Sequence, residues 1–156
     1  MCSSDLALQV ASNVKDPART TLSKVHQAMT AAKEGGAGAD LSKLSDEAGK
    51  WGFKPESASA LIVLGESLVT AKKYPQARTE LERALADSER VGLRVQQAQS
   101  HYWLSQALSG AGDASGAAQH LREAKRILDD IKKDAGKANA DAIVKRADLA
   151  PIANAK

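Results

Sequence analysis

Aromatic residues make up only 3% of the 156-residue chain, with two tryptophans, two tyrosines and one phenylalanine. A core with so few rings must be filled by small and aliphatic side chains, and alanine is used well above ordinary levels, which suits closely packed helices. The single cysteine, Cys2, excludes an internal disulfide framework and any cysteine-based metal cage. No apolar run approaches the roughly 20 residues needed to span a bilayer. An excess of one charge is also lacking. With 22 basic and 19 acidic residues interspersed, the net charge of +3 gives no concentrated field for a phosphate backbone, so neither nucleic acid nor membrane insertion is expected. The length suits one soluble domain or a short array of repeating units.

The first six residues, Met1-Cys2-Ser3-Ser4-Asp5-Leu6, resemble the translated end of a sequencing adapter read from a GTG start. On that reading the natural protein extends upstream, and the absence of a signal peptide carries no information about compartment. The alternative is an ordinary start with Ser4 or Asp5 capping a first helix.

Internal repetition is the strongest positive signal. A step of about 40 residues, within the range of helical repeats, carries Leu61, Leu64, Gly65, Leu68, Ala77, Leu81 and Ala84 onto His101, Leu104, Ser105, Leu108, Ala117, Leu121 and Ala124. All but Leu61 and Gly65 keep their residue, and Gly65 meets another small one. The same step backwards takes Gly92 to Gly52 and Leu81 to Leu41, marking a third, weaker copy.

Within each copy the apolar spacing is helical. Ala60, Leu61, Leu64, Leu68 and Ala71 form one stripe; after a turn ending in Pro75, Ala77, Leu81, Ala84 and Leu85 form another. Pro75 suits the first turn of a helix, Asp113 or Ser115 suits a cap, and Gly92 and Gly136 suit helix ends. The pattern predicts a helix over 5–14, then pairs at 18–33 with 40–50, 57–71 with 76–90, and 95–109 with 115–134. Gly35 to Ala39 reads as a flexible turn. Ala138 to Ala147 reads as one more helix, stopped before Pro151, whose polar residues Asn139, Asp141, Lys145, Arg146 and Asp148 suit a cap. The divisions are 1–6 as an adapter-derived leader, 7–52 as a degenerate repeat region, 57–94 and 95–136 as two repeats, and 137–156 as capping helix and tail.

These residues resemble the tetratricopeptide repeat (TPR) family. Leu61-x-x-Leu64-Gly65-x-x-Leu68 is similar to the family's Trp-x-x-Leu-Gly-x-x-Tyr stretch, with leucine at both aromatic positions, and Ala77, Leu81 and Ala84 match its later Ala, Phe and Ala. The following copy matches through His101, Leu104, Ser105, Leu108, Ala117, Leu121 and Ala124. Glu89 and Asp129 stand where the family has a closing proline, so the second helices can run longer. The stretches from Ile127 to Gly136 and from Val144 to Leu149 also look like the C-terminal end of long bacterial repeat proteins, some of which carry a serine/threonine kinase or DNA-binding regulator domain upstream. The resemblance implies an all-α solenoid of about three antiparallel helix pairs plus a capping helix, with the first helix of each pair lining a concave surface where partners bind.

Catalytic chemistry has few candidates. His26, His101 and His120 fall in different helices without metal-ligand spacing. His101 occupies an apolar register position and reads as a packing histidine; His26 and His120 read as surface residues. The Asp129, Asp130, Lys132 and Lys133 cluster reads as a solvated helix face. No catalytic, metal or cofactor site is expected.

The first-helix faces offer Ser59, Ile62, Val63, Glu66, Val69 and Thr70, then Gln99, Tyr102, Trp103, Gln106 and Ser109. The lysine, arginine and asparagine of the family's carboxylate-clamping mode are missing from these faces. An apolar, amide-rich groove suits a docked helix or extended segment. The expected partner-binding residues are Ile62, Glu66, Val69, Gln99, Tyr102, Trp103 and Gln106. At least one of Tyr102 and Trp103 should point away from the core, because Leu104 and Leu108 already fill the packing stripe. Packing is the competing role for Ile62, Val63 and Trp103, and Trp51 and Phe53 are expected to staple their loop to the next pair. The expected function is a non-catalytic scaffold that binds a protein or peptide. The alternatives are a regulatory tail of a bacterial kinase or transcription regulator, acting by self-association or docking, and a helical bundle enclosing a small ligand.

Overall fold

The computed structural model describes residues 16–35 and 40–155. Every regular element among them is a helix: α1 (Pro17–Lys33), α2 (Leu41–Lys50), α3 (Lys54–Thr70), α4 (Tyr74–Val91), α5 (Arg94–Gly110), α6 (Ala114–Ala135), α7 (Lys137–Lys145) and α8 (Ala150–Asn154). The predicted pairs are present to within a few residues. The helix expected over 5–14, the leader at 1–6 and the turn residues 36–39 lie outside the described residues.

Local chemistry accounts for the helix starts. Pro17, Pro55, Pro75 and Pro151 all stand in the first turn of a helix, where a missing N–H leaves no gap in the hydrogen-bond ladder. The Asp16 carboxylate accepts from the Arg19 N–H at 3.1 Å and the Asp113 carboxylate from the Gly116 N–H at 2.8 Å, capping α1 and α6. Ser115 is already inside α6, so Asp113 takes the capping role. Helix α7 stops at Lys145, well short of Pro151, which instead opens a further helix, α8.

The turns recur with the helices. The Phe53 N–H donates to Ala48 O at 2.9 Å and the Leu93 N–H to Ser88 O at 2.8 Å; the Lys73 N–H donates to Leu68 O at 2.8 Å and the Asp113 N–H to Leu108 O at 2.9 Å. Both bounds of α5 follow those of α3 by about 40 residues. One residue breaks the match. Lys72 holds a φ of 59° in the α3–α4 turn, where the α5–α6 turn has Gly112 at 89°. A Cβ in the left-handed region crowds the following carbonyl, so the glycine is the better fit.

Each of α1 to α7 packs on the helix that follows it, and α3 also touches both α1 and α5. That central position buries Ser57, Ala58 and the whole run from Ala60 to Gly65. The five-residue stripe expected for this helix is therefore too narrow, and its last member, Ala71, is exposed at the C-cap. Gly65 allows a close approach: a Cβ built there would overlap the Leu81 side chain of α4.

The core forms successive clusters along the chain. Val25, Leu41, Ala48 and Leu64 join α1, α2 and α3; Ala77, Leu81, Leu104 and Ala107 join α4 and α5, with Leu68 and Val69 of α3 packed against them; Ala98, Ala124, Leu128, Leu149 and Ile152 close the C-terminal end. The cap differs from expectation. Helix α7 buries no residue, whereas Leu149 and Ile152 beyond it are almost fully enclosed, because they reach the apolar faces of α5 and α6. Trp51 is 50% exposed and outside the first cluster, while Phe53 does pack on it with Val25, Leu41 and Leu64.

Two stability measurements check this packing. Gly65→Ala should lose about 1–3 kcal/mol in urea unfolding because Leu81 must leave its position, while Lys132→Ala should stay within about half a kcal/mol of the parent. In a Leu81→Ala background the effect of Gly65→Ala should shrink; equal losses in both backgrounds would place the close contact elsewhere. Lys72→Gly should raise stability by up to about 1 kcal/mol through relief of the left-handed conformation, and a lowered melting temperature would contradict that account.

Candidate functional site

A groove of about 690 Å³ crosses the first helices of the pairs. Helix α1 contributes Met29 and Lys33, α3 contributes Ser59, Ile62, Val63 and Glu66, and α5 contributes Val95, Gln96, Gln99 and Trp103. Within each set residues recur three or four positions apart, with Ile62 adjacent to Val63 and Val95 to Gln96, so each helix presents one face. Arg146, Ala147, Asp148 and Pro151, from the segment linking α7 to α8, also line it. A smaller recess of about 320 Å³ shares Lys33, Val63 and Glu66 and continues along α3 to Thr70.

Of the expected partner-binding residues, the groove brings together Ile62, Glu66, Gln99 and Trp103. Ile62 is only 4% exposed and packs with Leu61, Ala84 and Trp103, so it forms part of the floor. Trp103 is half-buried and serves both roles left open for it, lining the groove while packing against the central cluster. Val69, Tyr102 and Gln106 do not line the groove. Val69 packs on the cluster containing Leu81 and Leu104, Tyr102 packs on the C-terminal cluster, and Gln106 donates to the Ser105 hydroxyl at 3.3 Å. Neither aromatic points freely outward. The two rings meet edge to face at 5.1 Å, each half-buried on a different cluster, because flanking helices cover both sides of α5.

The groove residues missing from the sequence reading come from α1 and the tail. Helix α1 starts only about 37 residues before α3, so the search period of about 40 steps past its groove face. The tail residues read simply as a polar cap. Gln99 is tied to that tail, its side-chain amide donating to Asp148 O at 3.3 Å and to the Asp148 carboxylate at 3.2 Å. Arg146 pairs with the same carboxylate at 2.7 Å.

Glu66 is electrostatically distinct. Burial pushes its carboxyl above the ordinary range, and the positive charge of Lys33 only partly offsets this. Among the described residues, no side chain lies within ion-pair or hydrogen-bond distance of that carboxylate. Burial also raises the Tyr102 hydroxyl, with a further push from the negative charge of Glu66.

A second polar feature lies between α5 and α6. The His101 and His120 Nδ1 atoms are 2.9 Å apart, so one ring donates and the other, unprotonated at that nitrogen, accepts. His120, expected at the surface, is half-buried, because the imidazole at the apolar register position of His101 takes it as a partner. His26 is exposed. Burial and the facing His120 lower His101 to about 4, with Glu123 opposing and Arg126 assisting. Burial likewise lowers His120; Glu82 and Asp113 oppose this and Arg78 assists. Among the described residues no group of three or more metal-ligating side chains gathers, and no helix is long and apolar enough to cross a membrane.

The histidine pair makes stability pH-dependent. A group whose folded pKa lies below its unfolded value of 6.5 leaves the unfolded chain binding more protons between the two, so its share of stability is complete above pH 6.5 and is lost towards pH 4. His101→Leu, which copies Leu61 of the preceding repeat, should remove this component. The melting-temperature advantage of the variant should widen as the pH falls from neutral to about 4.5, and a constant difference would show that the pair does not titrate with folding. Compared with family models, curated proteins and solved structures, the chain finds no match.

Proposed function

We propose that this chain is a non-catalytic tetratricopeptide-type scaffold whose first-helix groove binds a segment of another protein. The observation carrying this reading is the groove's construction: α1, α3 and α5 each contribute one face at helical spacing, and together they form a continuous trough. The recurrence of helix bounds and turn hydrogen bonds supports the repeat assignment. Contacts of α3 with α1 and α5 support a side-by-side arrangement of first helices.

The lining suits a polypeptide. Met29, Val63 and Val95 supply apolar area, while Gln96 and Ser59 supply hydrogen-bonding groups for an extended backbone or amide side chains. The two histidines bond to each other on another part of the surface, away from the groove. Binding is therefore the chemistry the groove is equipped for.

Panning a random-peptide phage library on the folded protein tests this directly. Selected peptides should lose at least about tenfold in affinity, or about 1.4 kcal/mol, when Ser59→Trp fills the groove. Arg78→Ala, on α4 and outside the groove, should leave binding unchanged, and circular dichroism should show both variants equally helical. Unaltered binding by a folded Ser59→Trp variant would remove the groove from the binding surface.

A further inference from the structure

We infer that the segment occupying this groove carries a lysine or arginine, whose cation pairs with the Glu66 carboxylate while its aliphatic stem lies along Val63 and Trp103. The inference rests on the peptide-binding reading above and specifies its chemistry. Glu66 sits where the two recesses join, so any segment running along the trough passes it. Its carboxylate is half-buried and has no hydrogen-bonding or ion-pair partner among the described residues. A carboxylate in that state has lost part of its hydration with only the partial offset of the Lys33 charge, and an incoming cation restores the interaction.

The other charges in the groove do not compete equally. Arg146 and Asp148 already neutralise each other at 2.7 Å. Lys33 is exposed on α1 and remains hydrated, so an anion arriving there gains little and meets the negative charge of Glu66. An apolar residue placed over Glu66 would complete the desolvation of the carboxylate with nothing in return. In the same groove, the half-buried Trp103 offers a ring surface that favours a cation and the methylenes behind it.

Peptides selected by panning on the parent protein should be enriched in lysine or arginine. Replacing that basic residue by norleucine should weaken binding to the parent by about tenfold and to Glu66→Gln by less than about twofold. Panning on Glu66→Lys should select acidic peptides instead, and Lys33→Ala should tighten binding of the basic ones. Glu66→Gln is isosteric, and unchanged circular dichroism will establish that it folds. Selected peptides without a basic residue, or with one that matters equally to Glu66→Gln, would overturn this inference while leaving the groove as a peptide site. Selection of no peptides would overturn both. Sedimentation of the protein alone adds one more outcome: a dimer dissociated by Glu66→Gln would make the occupant a second copy of this chain and overturn the assignment to a foreign segment.

Discussion

The close approach of α3 and α4 at Gly65 governs the rest of the structure. The missing side chain at Gly65 lets Leu81 sit against the α3 backbone, and Leu81 then anchors the cluster that includes Leu104 and Ala107 of α5. Among the described residues, helix α3 is the one element in contact with α1, α2, α4 and α5. Enclosure on so many sides demands small or aliphatic residues around its circumference, which explains the buried run from Ala60 to Gly65. It also leaves α3 only a narrow polar edge, where Ser59 and Glu66 face the groove. The core contact and the candidate site are thus two sides of one helix.

Small polar residues help the helices approach without leaving most buried groups unsatisfied. Ser45 and Ser57 share a hydrogen bond of 2.9 Å between α2 and α3, and the hydroxyls of Ser88 and Ser105 bond to carbonyls one turn earlier. Longer charged side chains act across the surface. Arg83 on α4 reaches Asp46 at 2.6 Å and Ser42 at 2.8 Å on α2, joining the second helices of adjacent pairs. Such exposed contacts contribute a few tenths of a kcal/mol to about 1 kcal/mol each, whereas burying a leucine as fully as Leu81 or Leu149 contributes roughly 1.5–3 kcal/mol.

The C-terminal segment has a double role that follows from chain geometry. Leu149 and Ile152 cover apolar faces that the last pair would otherwise expose. The intervening turn then lies beside Gln99, so the residues that close the core also bound the groove. The groove is thus bounded by the tail as well as by the faces of three helices.

Helix positions were legible in the chain because their causes are local. Apolar spacing, Pro75 at a first turn, Gly92 at a helix end and the repeat of about 40 residues all depend on neighbours a few residues away or on an internal copy. The sequence also placed Ile62, Glu66, Gln99 and Trp103 on faces that the groove uses. Other assignments depended on helices distant along the chain. Tyr102 and Val69 occupy first-helix positions, yet packing from α6 and the tail covers Tyr102, and packing from α4 and α5 covers Val69. His120 found a partner because α5 turns His101 towards it, and Lys33 reached the groove because α1 lies beside α3. A helical period tells which residues share a face; whether that face meets solvent, a core or a groove is set by the helices packed against it.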